Sequence, residues 1–216
     1  MSQVQTSPHR RATPVQARSA ATVETILAAS SALLVEQGLP GFNTNAVAKA
    51  AGVNVATLYH YYPHKNAILR ELFERDEQAR AAYIRGRFDD LATTADLSGW
   101  VHDILGALMR MRQAQPAGVA LRRACRAVPE LMEVEETVNA DLGERLGAAL
   151  RQRMPHLAPA RASVAGRVLV EVTTTLLDFA RDRPRLAEET TGVLESLVRG
   201  LFGELENTPP SAKTKT

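Results

Sequence analysis

The chain has 216 residues, enough to bury a sizeable core in one large or two small domains. Hydrophobic residues make up 45% and charged residues 23%, which is typical of globular proteins, and only 5% aromatic content favours helices over sheet. The single cysteine excludes an internal disulfide, and the formal net charge of +2 does not by itself indicate a partner.

The sequence predicts no membrane anchor and no export signal. No apolar run approaches the ~20 residues that cross a bilayer, and the polar N-terminus, which contains Pro8 and Pro14, does not resemble a signal peptide. The lone Cys125 fits a reducing compartment. We therefore expect a cytoplasmic protein with no membrane partner.

The first 17 residues are rich in Ser, Thr, Gln and Pro, and we predict a disordered arm. Its His9, Arg10 and Arg11 suit a phosphate strand or a minor groove, although a tail without a role explains them equally well. Residues 1–66 carry five Lys or Arg and two acids, whereas the remainder carries 21 basic and 22 acidic residues. This small excess of positive charge suits local phosphate binding, and an ordinary solvated surface accounts for it about as well.

A first helix is predicted from Arg18 to Gln37, where Gly38 ends it. Its apolar side chains recur at helical spacing and form one face, which should pack over the segment that follows. This face comprises Val23, Ile26, Leu27, Leu33 and Leu34. Phe42 is expected to fill the small core beneath it.

The segment from Thr44 to Lys65 predicts two short helices joined by a tight turn. Gly52 suits the residue just past a helix end, where φ is often positive and a Cβ would clash. Asn54 is a good N-cap for the second helix, because its side chain accepts a bond from a free amide. Pro63 then closes that helix, since the residue before a proline is pushed out of the helical region.

The second short helix presents two chemistries. Leu58 and Tyr62 lie one turn apart and face inward. The other faces carry hydroxyls, rings and a histidine, from Thr57, Tyr59, His60 and Tyr61. Such a helix matches what a DNA major groove accepts, because hydroxyls and ring edges meet bases and a following lysine neutralises a phosphate. Helix-turn-helix proteins place their second helix in that groove.

Residues 18–75 resemble the DNA-binding domain of the tetracycline-repressor (TetR) family. The most diagnostic part is the run Thr57-Leu58-Tyr59, followed six residues later by Lys65. The other matching positions are Ile26-Leu27-Ala28-Ala29, Gly38, Phe42, Thr44, Val47-Ala48, Ala51-Gly52-Val53, Tyr62 and Leu69. Two positions depart from the pattern: Asn54 stands where serine is commoner, and His64 replaces a small capping residue. We therefore expect a poorly capped fourth helix with a pH-sensitive contact at His64.

The resemblance implies a homodimer that binds double-stranded DNA at a palindromic operator. It assigns phosphate contacts to Thr44 and Lys65, and base contacts to the exposed residues of the second short helix. The predicted DNA-contact residues are Thr44, Asn54, Ala56, Thr57, Tyr59, His60, Tyr61 and Lys65. None of them offers the bidentate pairing of arginine with guanine, so specificity should come from several weak contacts, doubled by the dimer.

The rest of the chain predicts a helical body, so the fold class is all-α with about nine helices. We assign residues 1–17 to the arm, 18–66 to the helix-turn-helix domain, 67–207 to a ligand-binding and dimerisation domain, and 208–216 to a flexible tail. A long helix from Lys65 to about Phe88 links the two domains and carries Glu77 among its mostly outward residues. Later helices are predicted at about 96–115, 119–127, 129–154, 159–181 and 187–206.

By the same resemblance, the body contains a cavity for a small, hydrophobic effector. The candidate lining residues are Trp100, Ile104, Leu108, Met111, Leu121, Cys125, Met132 and Val138. Apolar residues at helical spacing are equally well explained as plain core. The cavity itself therefore follows from the resemblance and not from the spacing.

The last two helices carry more apolar surface than one layer needs, which favours a two-fold four-helix dimer interface, although a monomer core absorbs one stripe. The candidate interface residues are Val168, Val172, Leu176, Phe179, Leu194, Leu197, Val198, Leu201, Phe202 and Leu205. Glycines at 166, 192, 200 and 203 are predicted to permit close helix approach.

Neither a catalytic constellation nor a glycine-rich phosphate loop is visible, so we predict no enzyme and no cofactor. His60 and His64 have a metal-like spacing, but Pro63 breaks the helix between them, and no metal site is predicted. Cys125 has basic neighbours that would lower a thiol pKa, although a small buried core cysteine is the commoner case.

These features predict a ligand-responsive DNA-binding transcriptional regulator, a repressor that a small molecule releases from its operator. Two alternatives stay open. One is a thiol-based redox sensor on the same fold that uses Cys125. The other is a small-molecule binding protein or enzyme whose helix-turn-helix is vestigial, for which the body would need chemistry that the sequence does not show.

Overall fold

The computed structural model describes residues 14–114 and 116–209, and the regular elements within those ranges are all helical. The α-helices are α1 (Pro14–Gly41), α2 (Thr44–Ala51), α3 (Val55–Tyr61), α4 (Lys65–Leu91), α5 (Leu97–Ala114), α6 (Pro116–Cys125), α7 (Pro129–Arg153), α8 (Pro159–Asp182) and α9 (Ala187–Glu206). The all-α prediction is confirmed. Most of the predicted arm, including Arg10 and Arg11, and most of the predicted tail lie outside the described residues.

The chain divides into two compact units, the first ending at Ile68 and the second beginning at Leu69. Helix α4 therefore starts in the first unit and continues in the second. Within the first unit, α1 packs on α2 and α2 packs on α3. The large buried side chains of this unit are Ile26, Leu27, Leu33, Leu34, Phe42, Val47, Leu58, Tyr62 and Ile68.

Helix α1 begins at Pro14, four residues before the predicted start, because Pro is well tolerated in a first helical turn. Gly38 interrupts it with φ 64° and ψ −172°, as the sequence predicted. The stretch Arg18–Gly41 is long and apolar enough, by composition alone, to pass as a membrane span, contrary to our reading of the sequence. Its Ile26 and Leu34 are instead buried in the first unit.

The second unit is built around one apolar cluster to which α4, α5, α7, α8 and α9 all contribute. Helix α8 packs against both α7 and α9. The approach of α8 to α7 depends on Gly166, where an added Cβ would lie 2.6 Å from the backbone nitrogen of Gly147. An added Cβ at the glycines at 192, 200 and 203 meets no atom of the described chain within 4 Å, so close approach there stays a prediction for the dimer.

Glu77 on α4 is fully buried, although we predicted an outward position. The buried side of α4 includes this carboxylate because two arginines, one of them from another helix, reach it. Arg80, one turn later on α4, and Arg122 on α6 both pair with Glu77. The charge pattern of α4 predicted that Glu77 faces solvent. That prediction was wrong because its partner on α6, Arg122, is distant in sequence and the pattern within one helix does not reveal it.

Candidate nucleic-acid interface and ligand cavity

The helix-turn-helix segment is fixed by an asparagine cap at the start of each of its helices, α2 and α3, and by one glycine between them. Asn43 Oδ1 accepts the Ala46 N–H at 2.9 Å, and Asn54 Oδ1 accepts the Ala56 N–H at 2.8 Å. Gly52 adopts φ 64° and ψ 26°, and its N–H donates to the last carbonyls of α2. These bonds satisfy amides and carbonyls that helix ends leave open, so the seven-residue α3 is held although it is too short to be stable alone.

Helix α3 turns Leu58 inward, together with Tyr62 just beyond its end, and both side chains are buried as predicted. Tyr59 is 49% exposed. The other predicted contact residues of this segment are also accessible: Asn54, Ala56 and His60 are exposed, and Thr57 and Tyr61 are half-buried. The accessible face therefore carries hydroxyl, phenol and imidazole groups, which hydrogen-bond to base edges or phosphates.

Hydrogen bonds connect the predicted contact residues to one another. The Tyr59 hydroxyl lies 3.1 Å from Oγ1 of Thr44, so the exposed side of α3 is tied to the start of α2. The Lys65 ammonium donates to the Phe42 carbonyl at 3.4 Å, two residues before Thr44. Thr44, Tyr59 and Lys65 therefore gather at one edge of the first unit. The residue spacing gave no sign of the bond between Thr44 and Tyr59.

His64 caps α4, and the expectation of a poorly capped helix was wrong. Its Nδ1 lies 3.2 Å from the backbone nitrogen of Ala67 and accepts that N–H. A neutral imidazole has one acceptor nitrogen and so replaces the small polar side chain that is usual at this position. Because protonation of the ring removes the acceptor, the pH-sensitive contact stays a prediction.

The second unit encloses a cavity of about 60 Å³ between α4, α5, α7, α8 and α9. Its apolar lining is Ile84, Phe88, Trp100, Val101, Ile104, Leu105, Leu108, Leu142, Leu146, Leu169, Val170, Val198 and Phe202. Its polar lining is Arg80, Arg112, Thr173 and Thr174. A mostly apolar lining with a few convergent polar groups is the usual character of a small-molecule site, and this cavity is smaller than the roughly 300–1,000 Å³ of most such sites.

Three of the candidate ligand-binding residues, Trp100, Ile104 and Leu108, lie in the cavity wall. The next position of this stripe, four residues on, is Arg112, and Met111 does not line the cavity. The remaining candidates do not line the cavity. Leu121 and Cys125 are buried on α6, Met132 is 51% exposed, and Val138 packs against the core of the unit.

A buried network of arginines and acids adjoins the polar end of the cavity. Arg80 Nε donates to Glu77 at 2.9 Å, and Arg80 also reaches Asn139 Oδ1 at 3.2 Å. Arg112 Nε donates to Asp178 at 3.0 Å. The other arginines of the network, Arg122 and Arg181, are buried too. Buried guanidinium groups need such partners, because an isolated charge in a protein interior is costly.

The electrostatics of this network are set mainly by burial. Burial, reinforced by the nearby charge of Arg80, lowers the pKa of Arg112 to about 10. Burial also lowers the pKa of Arg80, although neighbouring acids act in the opposite direction. Since both groups remain protonated near neutral pH, the polar end of the cavity is cationic.

Comparison with known proteins agrees with this architecture. The model of bacterial regulatory proteins of the tetR family matches residues 26–72, and that of tetracyclin repressor-like C-terminal domains matches residues 96–203. This chain belongs to the TetR family of bacterial regulatory proteins. It is therefore a DNA-binding transcriptional regulator with a helix-turn-helix unit and a helical C-terminal unit.

Curated relatives of this TetR-family chain match only in part. The nucleoid occlusion factor SlmA of Haemophilus ducreyi is 43% identical over 49 residues, which are 23% of this chain and 24% of that protein. The SlmA protein of Actinobacillus pleuropneumoniae is 38% identical over 60 residues, or 28% and 30% of the two chains. The chain thus covers less than a third of the length of these relatives.

Solved structures resemble the whole TetR-family fold. A TetR-family regulator from Mesorhizobium loti superposes with a TM-score of 0.67 at 15% identity, covering 86% of this chain and 97% of that one. The multidrug binding protein EbrR, complexed with imidazole, gives a TM-score of 0.59 at 21% identity, covering 81% and 93%. At these identities the likeness shows the fold alone.

The apolar surface of α8 and α9 in this TetR-family chain differs from the predicted interface. Leu194, Val198, Phe202 and Leu205 are buried in the core of their own chain, because each lies on the side of α9 that faces the unit. Val172, Leu176 and Leu201 pack partly against the same core. The exposed apolar residues are the predicted Val168, Phe179 and Leu197, together with Val164, Leu186 and Val193, which the sequence reasoning missed.

Cys125 does not have the thiolate character that its basic neighbours suggested. Burial raises the pKa of Cys125 to about 12, and the nearby Glu135 carboxylate adds to this shift. The Cys125 Sγ lies 3.4 Å from that carboxylate. Arg123, one of the expected activating groups, pairs instead with Asp182 at 3.0 Å. Because the thiolate is the reactive form, this environment is that of an unreactive core cysteine.

Proposed function

We propose that this TetR-family protein is a homodimeric repressor that a small hydrophobic molecule releases from a palindromic operator. The observation that carries the proposal is the pairing of two features in one chain. An exposed α3 with tethered Thr44, Tyr59 and Lys65 suits duplex DNA, and an enclosed apolar cavity in the second unit suits an effector. Because a repressor of this kind acts on the chromosome, we place it in the cytoplasm.

The proposed contacts divide into positioning and reading groups. Lys65 and Thr44 bind phosphates, and the amide nitrogen of Asn54 adds a donor, since its oxygen is used in the cap. Thr57, Tyr59 and His60 approach base edges from α3, and Ala56 offers a methyl surface to a thymine methyl. Tyr61, half-buried beside His60 with ring centroids 5.1 Å apart, steadies that imidazole or meets the backbone.

The proposed dimer uses the exposed apolar face of α8 and α9. Among the described residues, six of the ten exposed large hydrophobic side chains belong to the segment from Val164 to Leu197, so the apolar surface is concentrated there. Two copies of such a face bury it through a two-fold contact, as in four-helix interfaces. Two DNA-reading units then address half-sites about 34–36 Å apart, or a multiple of that distance.

The proposed release mechanism runs through α4. This helix supplies Lys65 to the first unit and Arg80, Ile84 and Phe88 to the cavity of the second. An effector that favours one arrangement of α4 shifts the spacing of the two DNA-reading units in the dimer. A coupling free energy of about 1–3 kcal/mol changes operator affinity about 5- to 150-fold, which is enough to release an operator of moderate strength.

Operator binding tests the proposal. Fluorescence anisotropy with the DNA upstream of the protein's own gene should show tight binding that weakens steeply with salt. For Lys65→Ala, the slope of log K against log salt should fall by about 0.9 for each phosphate that is no longer neutralised, and a dimer carries two such lysines. Arg151→Ala, at an exposed arginine of the second unit, is the matched control and should leave the slope unchanged.

Two outcomes separate the alternatives. A chain that shows no DNA binding at low ionic strength, yet binds small molecules, is the binding protein with a vestigial helix-turn-helix. A chain whose operator binding responds to oxidant through Cys125 is the redox sensor, against which the buried and protonated thiol already argues. The partial likeness to SlmA supports DNA binding, and nucleoid occlusion is not proposed for this chain.

A further inference from the structure

The cavity is polarised along its length. Its cationic residues, Arg80 on α4 and Arg112 on α5, lie at one end, and their charges act on each other. Trp100 begins the same stripe of α5 three turns earlier, where its ring lies 6.3 Å from that of Phe202. Twelve residues of helix separate Trp100 from Arg112, a distance of about 18 Å. One end is therefore aromatic and apolar, and the other is positively charged.

Arg112 is buried with most of its hydrogen-bonding capacity unused. Its Nε donates to Asp178, but Nη1 and Nη2 have no partner among the residues that the structure describes. The Asp178 carboxylate is also shared with Arg181, at 3.1 Å, and lies 3.9 Å from Arg122. One carboxylate thus serves three guanidinium groups, and on Arg112 it engages Nε alone.

The ion pairs around this end of the cavity leave the two amino groups of Arg112 without a partner in the part of the chain that the structure describes. They link arginines 80, 112, 122 and 181 with Glu77, Glu135, Asp178 and Asp182, and the carboxylates of Asp76 and Glu171 also act on Arg80. Among the described residues, no Asp or Glu lines the cavity itself. Buried donors without a partner cost free energy, so a ligand carboxylate at Nη1 and Nη2 of Arg112 removes a cost that the free protein carries.

We propose that the effector is a hydrophobic monocarboxylate whose carboxylate binds Nη1 and Nη2 of Arg112 and whose apolar body lies toward Trp100 and Phe202. The planar guanidinium fork, with Nη1 and Nη2 both unpaired, matches the two oxygens of one carboxylate. Thr174, one helical turn before Asp178 on α8, brings a hydroxyl to the same end of the cavity. This inference rests on the proposed effector role of the cavity and names the chemical class that it takes.

Matched acids and amides test the charge requirement directly. Isothermal titration calorimetry with purified protein, without DNA, compares octanoate with octanamide and 4-phenylbutyrate with 4-phenylbutanamide. We expect at least one acid to bind about 10- to 100-fold more tightly than its amide, as a hydrogen bond to a charged group contributes. Equal affinity within both pairs, or no binding of either acid, overturns the proposal.

Substitution of Arg112 tests whether this residue is the one that binds the carboxylate. Arg112→Gln keeps hydrogen-bond donors but removes the charge, so acid affinity should fall to that of the amide while amide affinity stays unchanged. Arg110→Gln, at an exposed arginine of the same helix, is the matched control and should alter neither. An equal loss for acid and amide in Arg112→Gln assigns the residue a structural role and contradicts the proposal. Should that variant fail to fold, the acid–amide comparison in the unaltered protein decides.

The outcome is separable from that of the operator experiment. Ligand binding is measured without DNA, so a failure of acid selectivity with operator binding intact removes this inference alone. A protein that binds no DNA but prefers the acid loses the proposed regulatory function and keeps the carboxylate site.

Discussion

At the scale of single residues, some positions in the cavity wall and the core are occupied by buried polar side chains, which the spacing of apolar residues does not reveal. Trp100, Ile104 and Leu108 define the cavity stripe on α5, and its fourth member is Arg112. A search restricted to apolar side chains passes over that arginine and selects Met111. Glu77 shows the same effect on α4, since its burial depends on Arg122, which lies 45 positions along the chain.

The thiol of Cys125 provides a prediction at this scale. Its pKa is raised from 9.0 to about 12, and the thiolate fraction below the pKa falls tenfold for each unit of this rise. Iodoacetamide should therefore alkylate the folded protein at about pH 8 roughly 1,000-fold more slowly than free cysteine, with the rate increasing as pH approaches 12. Mass spectrometry over time measures the rate.

The same protein in urea is the control, because unfolding returns the thiol to its ordinary pKa and exposure. Alkylation of the folded protein near neutral pH at the rate of the unfolded chain contradicts the assigned environment. That result would also restore the redox-sensor alternative.

At the scale of elements, the packing of α8 against α7 depends on backbone contact. An added Cβ at Gly166 would meet Gly143 O, and it would lie 2.6 Å from Gly147 N. Both neighbours belong to the backbone of α7, which cannot move aside as a flexible side chain does.

Helix bounds were predicted closely where Pro129 and Pro159 stand in first turns, and less closely for α6, whose start at Pro116 we placed at residue 119.

Gly166→Ala should destabilise the protein by about 1–3 kcal/mol, because the added methyl overpacks a helix interface. Gly86→Ala is the matched control on α4, where an added Cβ meets no described atom within 4 Å. That change should stabilise by about 0.5–1 kcal/mol, since alanine favours the helix. Urea unfolding followed by circular dichroism, at one fixed protein concentration, compares both variants. A neutral Gly166→Ala would show that α7 and α8 can separate at little cost.

At the scale of the whole molecule, the exposed apolar residues of α8 and α9 form the proposed dimer face. Leu197 is 54% exposed on α9, next to Val193 one turn earlier. On α8, Val164 and Val168 are exposed at the same four-residue spacing. A globular protein rarely leaves such a concentration of apolar surface uncovered, and in the proposed dimer a second copy of the chain would cover it symmetrically.

Leu197→Glu should convert the dimer to a monomer at micromolar concentration. A carboxylate buried at a two-fold contact without a partner costs several kcal/mol, so the dimer Kd should rise about 100-fold or more. Sedimentation velocity measures the mass, and anisotropy should show a parallel loss of operator affinity. Met132→Glu, at a similarly exposed methionine of α7, is the control and should stay dimeric. A Leu197→Glu protein that remains dimeric places the interface elsewhere.

The sequence by itself determined the local structure of this protein. Short-range stereochemistry and periodicity depend only on neighbouring residues. They predict the cap at Asn54, the left-handed Gly52 and the inward pair Leu58 and Tyr62. The tertiary structure alone decided which apolar stripe faces the core, which lines the cavity and where buried charges meet. Those outcomes depend on contacts such as Arg112 with Asp178, 66 positions apart, and periodicity within one helix carries no information about its partner.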